Sequence, residues 1–245
     1  MGRSVRRMSA ACIATLPAAL GLTGCVPTQR IAARARLVSA RELASQGTTE
    51  VSRPNPDVTV GRLTLIHTQT GTAVVASLRN NASSTLTDLP ISVGIHTHAS
   101  HTVYLNRSAN LDYFDSHVAA IAPHNVTIWV FTTRRRVAGG RPFATVGVSQ
   151  LHPPAGARLP QIDLSTRTEQ SAPGSVAVSV SNRSGIPQYD LPIYGVATRA
   201  GREVAAGRAA VTHLGTGATT TLSINLLGES QRATVRLIVL PTIFS

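Results

Sequence analysis

Beyond residue 57 the chain is built of short runs in which apolar and polar residues alternate. Val74, Ala76 and Leu78 alternate with Val75, Ser77 and Arg79, and Ile91, Val93 and Ile95 alternate with Ser92, Gly94 and His96. A period of two is the mark of a half-buried strand. Pro90 holds Leu89 extended between these runs. Further strands are predicted over 126–131, 143–151, 220–226 and 234–240. Short strands at this spacing, separated by Asn-, Ser- and Gly-rich turns and lacking a helical period, predict an all-β fold of the sandwich type.

The pattern occurs twice. Residues 74–96 align without gaps on 176–198: Val74, Ser77, Asn80, Asp88, Leu89, Pro90 and Ile91 recur as Val176, Ser179, Asn182, Asp190, Leu191, Pro192 and Ile193. Further on, Ala144-Thr145-Val146 recurs as Ala233-Thr234-Val235. The repeat predicts one β-sandwich over 58–152 and a second over 161–245. The Pro-rich stretch 153–160 reads as a stiff linker between them. A strand, an Asn-x-Ser turn, an Asp-Leu-Pro strand, the Gly201-Arg202-Glu203 turn and Leu214-Gly215-Thr216-Gly217 before a Thr-rich strand follow in order. This order resembles the immunoglobulin-like modules of bacterial surface proteins, of the FxLYD or CARDB sort. The resemblance implies two tandem immunoglobulin-like β-sandwiches and is nearly silent on function, since such modules serve many purposes.

Residues 1–24 have the layout of an export signal: Arg3, Arg6 and Arg7 precede a short apolar region, Met8 to Leu22. It ends Leu22-Thr23-Gly24-Cys25, which resembles the lipobox of bacterial lipoproteins. That resemblance implies cleavage before Cys25 and attachment of diacylglycerol to its thiol, an anchor to membrane lipid on the extracytoplasmic face. Residues 25–57 then form a tether, helical in part over 31–46, that spans on the order of 100 Å when extended. No run of 18 apolar residues follows the N-terminal region.

Composition narrows the function. The 23 basic residues are all Arg, against 11 acidic ones, giving +12. Loss of Arg3, Arg6 and Arg7 with the signal would leave +9. Exclusive use of Arg fits a GC-rich genome, as in actinobacteria. The excess is spread along the chain without an aromatic–basic motif, and an exported protein does not meet DNA, so a nucleic-acid partner is excluded. Cys12 and Cys25 are the only cysteines. The folded body therefore has neither a disulfide framework nor a Cys-based zinc site. G-x-S-x-G, H-E-x-x-H and P-loop motifs are absent, and no enzyme or cofactor is expected.

Three features remain as candidate sites. Seven of the eight His fall between His67 and His152, and three sit in the turn His96-Thr97-His98-Ala99-Ser100-His101. Imidazoles on a hairpin bind zinc or copper, and Asp112, Asp115 or His117 would be further ligands. The second copy carries Thr198, Ala200 and Glu203 at the aligned positions, so the fold itself does not require His there. Arg134, Arg135 and Arg136 lie at a hairpin tip that an immunoglobulin-like topology would place at the N-terminal pole, facing anionic headgroups. Trp129 shares a face with Thr127 and Phe131, opposite Val126, Ile128 and Val130. Parity leaves open which face is the core; facing outward, Trp129 is a contact for a partner or glycan. The expected function is a membrane-anchored, non-catalytic binding or scaffold module for an envelope protein or cell-wall polymer. The alternative is an extracytoplasmic zinc- or copper-binding lipoprotein using His96, His98 and His101.

Overall fold

A computed structural model of the protein describes residue 51 and residues 53–97, 101–108, 111–137, 139–149, 158–167 and 174–243, with Ala35. Cys25, the signal, His98 and most of the tether and linker lie outside the described residues. The first seven strands are β1 (Val58–His67), β2 (Thr72–Asn80), β3 (Leu86–Thr97), β4 (Thr102–Tyr104), β5 (His117–Ile121), β6 (Val126–Thr133) and β7 (Gly140–Val146). The other seven are β8 (Ile162–Thr166), β9 (Ser175–Asn182), β10 (Gln188–Arg199), β11 (Arg202–Leu214), β12 (Thr219–Asn225), β13 (Leu227–Gly228) and β14 (Thr234–Val239).

Antiparallel pairing gathers them into sheets. β1, β2 and β6 form one, in that order, and β3 is the centre of the next. Leu105 N donates to Val93 O and Ile91 N to Ser116 O, each at 2.8 Å, which places β4 and β5 end to end along one edge of β3. β7 lies along the other edge. The later strands repeat the plan as β8-β9-β12 and β13-β11-β10-β14. The all-β sandwich fold expected from the alternation is the observed one, and its immunoglobulin-like character is the one the resemblance implied.

The duplication extends to backbone detail. Strands β3 and β10 begin and end 102 positions apart. Asp88 (φ 53°) and Asp190 (φ 46°) both adopt the left-handed conformation, which a short carboxylate tolerates better than most side chains. The copies differ at the edge strand. Ala206 and Ala210 oppose Val196 and Pro192, four steps apart, whereas Tyr104 and His117 oppose Gly94 and Pro90, thirteen steps apart. The first copy therefore carries nine extra residues here. Where this excursion leaves the sheet, Asn106 replaces the missing strand: its Oδ1 accepts from Val93 N at 2.9 Å, and its Nδ2 donates to Ile91 O at 2.7 Å.

Inside the first sheet pair, Val74, Ala76, Leu78, Trp129 and Phe131 pack against Leu89, Ile91, Val93 and Ile95, all buried. The opposite face of β1-β2-β6 carries Ile66, Ala73, Val75 and Val130, and these are buried as well. What covers them is the outer face of the β10-β11 sheet, through Tyr194, Val196, Ala206 and Leu240, in one continuous apolar cluster. The sheets on either side of the Pro-rich stretch lie face to face in a stack of four layers. Burying a Val or Ile side chain contributes about 1.5–3 kcal/mol. This face alone thus contributes on the order of 5 kcal/mol, comparable with the whole stability of a small domain.

The stack ends on a polar surface. Ser165, Ser179 and Thr221 align across the exposed face of β8-β9-β12, with Asp163, Ser181 and Thr219 in the adjacent row. Among the described residues no apolar stripe lies on this face.

Candidate functional site

The described residues on either side of the His turn pair as neighbouring strands. His96 opposes Thr102 across β3 and β4, and Thr97 N donates to His101 O at 2.9 Å. His96 and His101 are exposed. His96 Nδ1 is 3.2 Å from Thr102 Oγ1, and its ring stacks on Phe143 with centroids 4.5 Å apart. Among the described residues, which exclude His98, no three His, Cys, Asp or Glu side chains converge on a common point. Asp112 and Asp115, suggested above as further ligands, turn instead toward Arg208.

The stacked ring belongs to a ladder on the outer face of the β3 sheet. Tyr104 meets Phe143 edge-on at 5.4 Å, and the Arg107 guanidinium lies 3.3 Å from the Tyr104 ring centroid. Gly94 makes this possible, since a Cβ there would lie 2.6 Å from Phe143 Cζ. Only Gly lets the ring lie flat across the strand.

Two expectations are corrected. Trp129 is not a contact residue: it is fully buried in the first sandwich, and its indole N–H donates to Phe114 O at 3.2 Å. Nor does the Arg134–Arg136 tip face the N-terminal pole. β1 and β6 both run antiparallel to β2, so β6 ends level with the end of β1, where Thr133 and His67 flank Thr72. The tip therefore projects from the pole opposite Val58. There Arg136 Nε and Nη2 donate to Gln69 O and Oε1, both at 2.6 Å.

Sequence reasoning missed the seam between the sandwiches. Arg208 on β11 is 7 % exposed and reaches the excursion of the first copy. Its Nη1 pairs with the Asp115 carboxylate, and its Nη2 is 3.7 Å from Asp112 Oδ2. The second Asp115 oxygen accepts from Asp112 N at 3.1 Å, which fixes the carboxylate. Burial pulls the Arg208 guanidinium down to about 10 against the opposing charge of Asp112, so it stays protonated at neutral pH. Its cross-strand neighbour Tyr194 is fully buried, its hydroxyl has no hydrogen-bond partner among the described residues, and burial raises its pKa. The signal in the sequence was the unmatched length between His101 and His117.

The same excursion holds a second polar knot. The Tyr113 hydroxyl donates to Asp88, and its ring stacks on His117 at 4.0 Å. His117 Nδ1 lies 3.1 Å from Ser116 Oγ and 3.2 Å from Tyr113 O. Ser116 Oγ itself donates to Tyr113 O at 3.2 Å, and Asp88 is bonded to the phenol. The groups form a brace, not a relay from carboxylate through imidazole to hydroxyl.

Burial lowers the His117 pKa, outweighing the opposing effects of Asp88 and the Tyr113 carbonyl. A depressed His binds fewer protons folded than unfolded, so its contribution is intact above about pH 6.5 and is lost as pH falls below it. The urea midpoint of the wild type is expected to fall more steeply with acidification than that of His117→Gln. Parallel curves would contradict this.

No protein-family model and no curated protein matches the chain.

Proposed function

We propose that the chain is a lipoprotein held to the extracytoplasmic face of the membrane through acylated Cys25, acting there as a non-catalytic binding or scaffold module. Support for the anchor is the run Leu22-Thr23-Gly24-Cys25 behind a basic and then apolar N-terminus. For docking, the observation that carries the reading is the ladder of His96, Phe143, Tyr104 and Arg107 across an outward sheet face. Aromatic rings on an outward sheet face suit sugar rings and aromatic side chains. An envelope protein or a cell-wall polymer offers both.

The anchor is tested by feeding cells labelled palmitate. The wild type is expected to take up label and sediment with membranes, and Cys25→Ser to do neither. An unlabelled wild type would overturn the anchor. Docking is tested by in-cell crosslinking from a photoreactive residue at position 143. One envelope component captured there, and not from position 221 on the opposite end of the stack, is the expected result; equal capture from both would overturn it.

A further inference from the structure

Charge is divided unevenly between the two poles of the first sandwich. The chain enters at the Val58 pole, where Asn55 N donates to Val146 O at 2.8 Å. β2 spans nine residues, so the opposite pole lies about 30 Å away. Arg134, Arg135 and Arg136 form the tip there between β6 and β7, and Arg141 follows at the start of β7; all four are exposed. Residues 51–149 hold four carboxylates, and none reaches this pole. Asp57 O accepts from Asn81 N at the Val58 pole, Asp88 holds Tyr113, and Asp112 and Asp115 face Arg208. The Arg136 acceptors belong to Gln69 and are neutral, and they use two of its five guanidinium N–H donors. Across the adjoining cleft stands Glu229, already paired with Arg199 at 3.0 Å. Among the described residues the four arginines thus share one pole without a counter-charge.

We propose that this pole binds a linear phosphodiester polymer of the cell wall, its phosphates on Arg134, Arg135, Arg136 and Arg141 and its intervening units along Phe143 and Tyr104. The inference rests on the ladder as a docking face and adds the chemistry of the partner. Arg141 opposes His96 across β3 and β7, so the charged pole runs without a break into the ladder. A guanidinium presents the paired donors that phosphate oxygens accept. Arg136, held beforehand by Gln69, loses little freedom on binding. Several cations of one sign favour a polymer over a single anion, because each phosphate neutralised releases a condensed counterion. A chain anchored beyond its Val58 pole presents the arginines away from its own membrane, which favours a wall polymer over the bilayer.

The test uses the full chain carrying Cys25→Ser, so its outcome does not depend on acylation. Labelled poly(glycerol phosphate) is titrated by fluorescence anisotropy over a series of salt concentrations. Binding is expected, with the logarithm of the association constant falling linearly with that of salt. Replacing Arg134, Arg135 and Arg136 together by Gln should weaken binding about tenfold or more and make the salt slope shallower by about 2. Phe143→Ala should weaken it severalfold and leave the slope unchanged, since a ring contact displaces no counterion. Arg79→Gln, at the Val58 pole beside Val126, should change it less than twofold. Thermal unfolding of each variant checks that it folds. Absence of binding, an unaffected triple variant, or an equal loss in Arg79→Gln would each overturn the proposal. An unaffected Phe143→Ala beside a weakened triple variant would remove the ladder from the site and leave the arginines. Arginine-dependent binding to phosphatidylglycerol vesicles without binding of the polymer would assign the pole to a bilayer and overturn the proposal.

Discussion

Asn182→Asp is expected to destabilise the protein more than Asn182→Ala, although it keeps the size and shape of the side chain. Asn182 is fully buried at the end of β9. Its Nδ2 donates to Ile186 O at 2.8 Å, Gly215 O at 3.1 Å and Leu214 O at 3.4 Å. Its Oδ1 accepts from Ser184 N at 3.0 Å and Ser184 Oγ at 2.7 Å. One amide therefore closes the turn after β9 and ties it to the end of β11 in the facing sheet. Ala leaves these backbone groups short of partners at about 1–3 kcal/mol for each left unsatisfied, so a total loss near 3 kcal/mol is expected. Asp goes further, because it sets a carboxylate oxygen against three carbonyl oxygens and must take up a proton to stay buried. For a chain of this size 1 kcal/mol is about 2–4 °C, so Asn182→Ala should lower Tm by roughly 10 °C and Asn182→Asp by more. Circular dichroism melts decide it. An Asp variant as stable as the wild type would mean that the amide donors do not hold these carbonyls.

Asn80 repeats the arrangement. It donates to Ser84 O at 2.8 Å and to Ile121 O and Ala122 O at 3.1 Å, and it accepts from Ala82 N at 2.8 Å. Its recurrence as Asn182 was legible in the sequence, and so were the strands around it, because both depend on local spacing. The reason for the recurrence was not legible, since an Asn before a Ser-rich turn reads as a solvated residue until the facing strand is known. Trp129 fails for a related cause. Parity sorts a strand into two faces but names the core only when one face meets water, and here the second sandwich covers the other. Val75 shows the same effect, grouped with Ser77 and Arg79 on the polar side yet buried. The pole of Arg134–Arg136 followed from strand direction, which a borrowed topology reversed. Asp112 and Asp115 look like a surface pair because nothing near them in the chain announces Arg208.

That last contact gives the second large effect. Arg208→Met is expected to cost on the order of 3–5 kcal/mol and to split one unfolding transition into two. Asp115 is 13 % exposed, and with Arg208 removed its charge would be left at the seam without its partner. Asp112, 78 % exposed, can turn to solvent and matters less, so Asp112→Asn should cost under about 1 kcal/mol. The double variant Arg208→Met with Asp115→Leu separates charge from packing. Burial already holds the Arg208 pKa down at about 10, so the pair carries a desolvation cost that an apolar pair does not. The double variant should therefore recover most of the loss and restore a single transition. Calorimetry and urea unfolding followed by both Trp129 fluorescence and far-ultraviolet dichroism read the two halves, since Trp129 reports only the first sandwich. Coincident curves for Arg208→Met alone would show that the apolar face of Ile66, Val75, Val130, Tyr194 and Val196 couples the layers without the ion pair. Separated curves in the single variant that merge again in the double variant would make the nine-residue excursion the clamp that turns two copies of one fold into one body.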